Sequence, residues 1–277
     1  MEALFYIMLF VIGACLGSFL CCQARRLHHR SRKGSKPLGF RSVCLHCRHQ
    51  LRWYDNIPIF SWLVLKGKCR YCHKRIGLAE LTSELAGGFA AIAVGSPVLT
   101  ALVGHPHVQI IPLIPPFIWA FLILLILFML VILFLAIYDG LYGELPVKYL
   151  TFSIVLAVGM LLLRQISIVN SVGFTLDLIW QPLGAILVLG GLYLALYLVS
   201  RGKWVGDGDW LLALALALAL GDFWLALITL FLSNLFACLY ALPRRSRHLQ
   251  IHFGPFLVLA FVVAFSFADA LHTVLGY

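Results

Sequence analysis

Acidic residues are scarce in this sequence: 11 Asp and Glu in 277 residues, against 21 Lys and Arg. Charge of either sign is thin as well. Charged residues make up 12% of the chain, where a soluble domain carries about a quarter. That shortage excludes an ordinary water-soluble domain. Strict alternation of apolar and polar residues is also missing, which excludes a transmembrane β-barrel. No basic stretch precedes the first apolar run, MEALFYIMLF, and no small-residue cleavage site follows it. The run is therefore expected to be a retained first helix, not a removed signal peptide.

What is present is apolar residue, 62% of the chain. It recurs in stretches of roughly 20 residues, the length a helix needs to cross a bilayer. Backbone groups in lipid must be paired internally, so the expected fold is all-α, a polytopic membrane helix bundle. Eight spans are expected, near 2–22, 82–103, 112–138, 148–168, 177–200, 209–220, 223–241 and 254–275. The domain reading is a first transmembrane helix over 1–22, a polar tetracysteine domain over 23–78, and a membrane catalytic bundle over 79–277.

The formal net charge of +10 would suggest nucleic acid as a partner of a soluble protein. Here it has a simpler cause, because basic residues collect on cytoplasmic loops. Fourteen of the 21 Lys and Arg lie between Arg25 and Arg75, which places that segment in the cytoplasm. Threading eight spans then puts Lys148, Arg201, Lys203, Arg244, Arg245 and Arg247 on the same side. Only Arg164 lands toward the other. No nucleic-acid partner is expected; the basic surplus suits contact with anionic membrane lipids.

Two cysteine pairs stand in the polar domain, CLHC (Cys44, Cys47) and CRYC (Cys69, Cys72), separated by 21 residues. Each pair can form a tight knuckle that points two sulfurs at one ion. The spacing is that of a four-thiolate Zn2+ site, and a reducing cytoplasm disfavours disulfides. A metal would also staple a domain too small to bury much core. Four free cysteines or two redox pairs are the alternatives. His46, His49 and His73 lie near enough in sequence to replace a ligand. Such a closed site would be structural, since no position is left open for water. Cys15, Cys21, Cys22 and Cys238 fall in predicted helices and read as packing residues.

Two of the rare acids lie in WVGDGDW, as Asp207 and Asp209, and a third, Asp139, ends an apolar run in FLAIYDGLYGELP. The threading puts Asp139 and the 207–209 pair at the same membrane face. Two carboxylates held close can share one proton, so that one draws a proton from water while the other protonates a carbonyl oxygen. That chemistry needs neither a metal nor a covalent intermediate. Gly206 and Gly208 are expected to permit unusual torsions and close approach of a substrate backbone. Other readings stand beside this one. Asp207, Asp209 or Asp222 can simply cap a helix, and intramembrane acids also serve proton-coupled transporters.

Five motifs, in order, resemble the type IV prepilin peptidases, membrane aspartic proteases of the GxGD class. GSFL (17–20) with Arg26-Leu27 is similar to the family's first-helix signature. CLHC, DNIPIFSW (55–62) and GKCRYC (67–72) resemble its cytoplasmic domain. Asp139 in D-x5-LP, Gly206-Asp207-Gly208-Asp209 as GxGD, and FGPFL (253–257) complete the match. Cys21, Glu80-Leu81 and Val147 depart from the residues often found at their places, while Glu84 keeps the family's glutamate. The resemblance implies an endopeptidase that cuts the basic leader from type IV prepilins and pseudopilins at the cytoplasmic face of a bacterial inner membrane. It implies Asp139 and Asp209 as the catalytic pair, one of them protonated, and Cys44, Cys47, Cys69 and Cys72 as the tetracysteine site. It further implies N-methylation of the new N-terminus with S-adenosylmethionine. No soluble glycine-rich methyl-donor fold is present, so that site would be built from the cytoplasmic domain and helix ends. Asp207 falls at the variable position of GxGD. Glu80 and Glu84 are candidates to meet the leader's positive charges. The rival reading is a proton-coupled transporter, which would place an acid at the bilayer midplane and show internal repeats. A noncatalytic zinc-anchored assembly factor is a further alternative.

Overall fold

The structure is a computed structural model and describes residues 2–31, 41–103, 116–202, 205–242 and 252–268. Lys203, Trp204, Arg244, Arg245 and Arg247, named above, lie outside the described residues. Among the described residues the chain is helical, with two isolated β-bridges and no strand. It divides into two compact units, residues 1–96 and 97–277.

In the first unit, α1 (Glu2–Ser31) is one helix of 30 residues. It runs past residue 22 because nothing there breaks it, and its last turn carries His28, His29 and Arg30. Basic side chains at a helix C-terminus complement the helix dipole. A short 3₁₀ turn (Trp53–Asn56) and α2 (Phe60–Val64) follow, then α3 (Leu78–Val103) begins. α1 and α3 touch backbone to backbone. A Cβ on Gly13 would fall on the Gly87 backbone, and one on Gly17 on that of Ser83. Small residues spaced by four let membrane helices approach this closely, where lipid gives no hydrophobic drive to association.

The second unit holds α4 (Pro116–Tyr142), α5 (Val147–Val172), α6 (Asp177–Ala185), α7 (Leu192–Ser200), α8 (Asp207–Leu220), α9 (Phe223–Ala241) and α10 (Gly254–Ser266). α6 and α7 are joined without a break by a π-helical stretch, Ile186–Gly191, giving one continuous apolar span, Asp177–Ser200. Across both units, each of the eight apolar runs has its helix. Six are long and apolar enough to cross a membrane, while α8 and α10 are shorter. Large apolar side chains such as Ile123, Val155, Leu162, Trp180 and Phe231 face outward. A surface of that kind suits lipid and not water.

α8 sits at the centre of the second unit, packed by α5, α6, the π stretch, α7 and α10. Its sequence DGDWLLALALALAL is apolar on every side, which is the pattern of a buried helix. From Leu212 to Leu220 all but Leu214 are buried, and the alanines let neighbours close in. The helix stops at Gly221, which takes the left-handed conformation (φ 56°). Half-buried Arg164 from α5 donates to the Leu220 carbonyl there, and Asp222 lies within its electrostatic range. A cation thus covers the orphan carbonyl end of α8. α8 is thereby pinned at one end while its other end carries Asp207 and Asp209.

Candidate active site

α4 ends one turn after Asp139, where Gly143 takes a positive φ of 68°. Asp139 is buried, 5% exposed. Its Oδ2 accepts a hydrogen bond of 3.0 Å from the N–H of Gly254, the first residue of α10. The N-terminus of a helix presents unpaired N–H groups and the positive dipole end, so a carboxylate is well placed there. A Cβ at 254 would lie 2.8 Å from Asp139 Oδ2, so a larger residue there would have to displace the carboxylate. Pro255 then suits the first turn of α10, where its missing N–H costs nothing.

α8 starts at its N-cap, Gly206, and Asp209 is its third residue. Asp209 Oδ2 accepts from the Gly206 N–H at 3.2 Å, and of the capping roles considered from sequence Asp222 also fills one, as the N-cap of α9 whose Oδ1 accepts from the Leu225 N–H at 2.9 Å. Asp139 and Asp209 lie within each other's electrostatic range, and His252 acts on both. Asp207 is exposed, and its carboxylate accepts from the Tyr197 hydroxyl. Of the two aspartates in GDGD, Asp209 is the one brought to Asp139.

The glycines behave differently from expectation. Gly206 has φ −72°, and Gly208 is inside the α-helix, so neither needs an unusual torsion. The space beside Gly208 is also taken. A Cβ there would fall 2.5 Å from the Leu145 Cβ. Gly208 lets the first turn of α8 dock on the Leu145-Pro146 turn that follows Asp139, and so sets the approach of the two carboxylates.

In the first unit the four thiolates converge. The sulfurs of Cys44, Cys47, Cys69 and Cys72 all lie within 4.8 Å of one another, with Cys44 and Cys72 at 3.9 Å. Four sulfurs bound tetrahedrally at 2.3 Å would be about 3.8 Å apart. The two knuckles repeat one geometry. Cys44 N–H donates to His49 O and Cys69 N–H to Lys74 O, while the residue after each second cysteine, Arg48 or His73, has φ near 56°. Burial pushes the Cys44 thiol up, but the N–H groups of Cys47 and His46 outweigh it and hold the thiol at about 7. No histidine joins the cluster among the described residues, and the His49 ring instead stacks on Tyr71.

Asp55 of the DNIP stretch braces the second knuckle. It accepts from Arg70 at 2.7 Å, from Tyr71 at 3.2 Å and from the Arg52 N–H at 3.1 Å. Burial raises its carboxyl, but these donors prevail and hold it below the usual carboxylate range. Glu84 is buried in α3 and accepts from the Ile59 N–H at 2.7 Å. Ile59 has φ 63°, a strained torsion for a β-branched residue, and Glu84 holds it there. Glu80 pairs with Arg25 at 2.5 Å. Both glutamates therefore have partners inside the first unit.

The described geometry can be set beside known proteins. Residues 11–96 match the model of the Bacterial Peptidase A24 N-terminal domain. A prepilin leader peptidase/N-methyltransferase of Aeromonas hydrophila is 31% identical over 237 residues, which cover 83% of this chain and 73% of the relative. The chain belongs to the prepilin leader peptidase/N-methyltransferase family. Shorter matches agree with it. The protein of that name from Myxococcus xanthus (strain DK1622) is 40% identical over 90 residues, 32% of this chain and 26% of the relative. That from Vibrio cholerae is 33% identical over 90 residues, 31% of this chain and 36% of the relative. In these two cases the match spans about a quarter and a third of the relative's length. No solved structure matches the chain.

Gly254, His252 and Tyr193 lie at this site without a signal of their own in the sequence. Gly254 was in view inside FGPFL, but its contact with Asp139 spans 115 residues and leaves no mark in local pattern. His252 precedes that stretch by one residue and lies against Gly143. Tyr193 reads as one aromatic in an apolar run.

Proposed function

We propose that this chain is a membrane aspartic endopeptidase. It removes the leader from prepilins and pseudopilins at the cytoplasmic face of the inner membrane, and it N-methylates the new N-terminus. The observation that carries the reading is the pairing of Asp139 and Asp209, each held by the backbone N–H of a helix start.

The pair has the groups that peptide hydrolysis needs. A water between the carboxylates loses a proton to the ionised one as its oxygen attacks the scissile carbonyl carbon. The protonated carboxyl gives its proton to the carbonyl oxygen, forming a neutral gem-diol. Collapse breaks the C–N bond, with a proton passed to the leaving amine. The Gly254 and Gly206 N–H groups each hold one carboxylate oxygen and so aim the other toward water and substrate. At the membrane edge, water can reach such a site.

The tetracysteine cluster is proposed to hold Zn2+. Four sulfurs fill a tetrahedral ion, so the site is structural. S-adenosylmethionine would supply an electrophilic methyl group on a sulfonium. A cavity of about 180 Å³ in the first unit is lined by Asp55, Trp62, Glu80 and Glu84, together with Arg25 and Arg75. In it Glu80 Oε2 and Trp62 Nε1 are buried without a partner. These two groups, one acceptor oxygen of a carboxylate and one indole donor, are what the cavity has left to offer a ligand that carries cationic sulfonium and ammonium groups with a carboxylate. Leader charges can be met by Glu80 and Glu84 only if their present partners are released.

Purified protein incubated with a prepilin and labelled S-adenosylmethionine tests both activities. Leader release with label on the mature N-terminus is expected. Absence of cleavage by folded protein would contradict the peptidase reading. Substitution of Gly254 by alanine should lower the cleavage rate about 100-fold, since displacing a catalytic group by about 1 Å costs that much. An unchanged rate would show that the Gly254 contact does not position Asp139.

A further inference from the structure

Beside Asp209 the second unit has a cavity of about 390 Å³. Its walls come from α7, α8, α9 and the residues opening α10, and they are mostly apolar: Leu196, Val205, Ala237, Ala241 and Phe253 among them. Ala237 and Ala241 are one helical turn apart on α9, so a bound helix or extended chain can come close to that wall. Few polar groups line the cavity. Besides Asp209 they are the Asn234 amide, the Cys238 thiol and the Tyr193 hydroxyl.

The Tyr193 hydroxyl is anomalous. The residue is 5% exposed, yet its oxygen has no hydrogen-bond partner. Ser233 and Asn234 lie close enough to act on it, but neither meets it in hydrogen-bond geometry, and each donates a hydrogen to the Leu230 carbonyl instead. Leaving a buried hydroxyl unpaired is costly, and such groups are rare unless something binds them. The backbone also departs from regularity to deliver it. Tyr193 is the second residue after the π-helical stretch Ile186–Gly191, and π-helical turns concentrate at functional sites. Its ring rests against Phe253, next to the Gly254 that holds Asp139, with ring centres 5.5 Å apart.

We propose that Tyr193 is a substrate-binding residue of the catalytic site: its O–H donates a hydrogen bond to a backbone carbonyl of the peptide lying in this cavity and holds the scissile bond at Asp209. An extended peptide offers a carbonyl at every residue, and the phenol makes no bond to the acceptors now around it. The inference rests on the peptidase reading above and adds to it a donor outside the carboxylate pair.

The test is Tyr193→Phe in the full-length protein, with Asp209→Asn measured alongside. Leader cleavage, as kcat/KM, should fall about 10- to 100-fold in Tyr193→Phe, the scale of losing one positioned donor. Its thermal stability should stay the same or rise, because the lost hydroxyl had no partner to lose. Unchanged cleavage by Tyr193→Phe, with Asp209→Asn inactive, would overturn this inference and leave the peptidase reading standing. Cleavage and stability falling together would also overturn it, since they would mark the hydroxyl as structural. Full activity of Asp209→Asn would remove the peptidase reading and this inference with it.

Discussion

Asp139→Asn and Asp209→Asn should each reduce leader cleavage by about 10⁴-fold or more, with the protein still folded. An asparagine side chain cannot take a proton from water or deliver one to a carbonyl oxygen, and the loss of one such group commonly costs this much. The fold should survive because each amide keeps an oxygen for the N–H that now meets the carboxylate, Gly254 for residue 139 and Gly206 for residue 209. An amide also removes the cost of holding two carboxyl groups close together. The double variant should be no worse than either single one, because the two carboxylates act as one unit. Cleavage rates on a purified prepilin, with thermal unfolding of the same samples, measure both halves. Proton-coupled transport, the rival function for intramembrane acids, predicts loss of transport and no peptide bond broken by the wild-type protein.

Replacing Cys44 or Cys69 by serine should empty the metal site and unfold the tetracysteine segment. Zinc content measured on the purified protein should fall from about one ion per chain to near zero, since four thiolates make the closed set that such a site needs. Either substitution removes one sulfur from a cluster whose members all lie within 4.8 Å. Little else holds this part of the chain. Its regular structure is a 3₁₀ turn, a helix of five residues and two isolated bridges. The bridges belong to the knuckles themselves, Val43 with Gln50 and Lys68 with Arg75. Limited proteolysis should therefore find new cleavage sites between residues 41 and 77 in the variants. Unchanged zinc content would refute the site.

The parts legible from sequence are those written in local pattern. Continuous apolar runs became helices, six of them long enough to cross a membrane among the described residues, because a span in lipid has no other way to pair its backbone. Paired CxxC motifs gave the thiolate cluster because each knuckle is closed by bonds within six residues, such as Cys44 N–H to His49 O. The acidic pair was legible more coarsely, as rare charges at one face. What could not be read depends on tertiary approach. Gly208 was expected to face substrate, but it receives Leu145, a residue 63 positions earlier. Glu84 was a candidate for leader charges, yet its carboxylate is spent on the Ile59 N–H. The Gly254 hydrogen bond to Asp139 and the empty-handed Tyr193 hydroxyl come from helices that are adjacent only in the folded bundle. Nor could the pattern show that α1 continues to Ser31, since polar residues form a helix as readily outside lipid as apolar ones do within it.

The central claim is that Asp209 works with Asp139 and that its neighbour Asp207 does not. One comparison tests it most directly: kcat/KM for leader removal by Asp207→Asn and by Asp209→Asn, each on the same purified prepilin. Asp207→Asn should stay within about threefold of wild type, because Asp207 is exposed and bonded to Tyr197, while Asp209→Asn should lose about 10⁴-fold. Equal losses in the two variants, or full activity of Asp209→Asn, would contradict it.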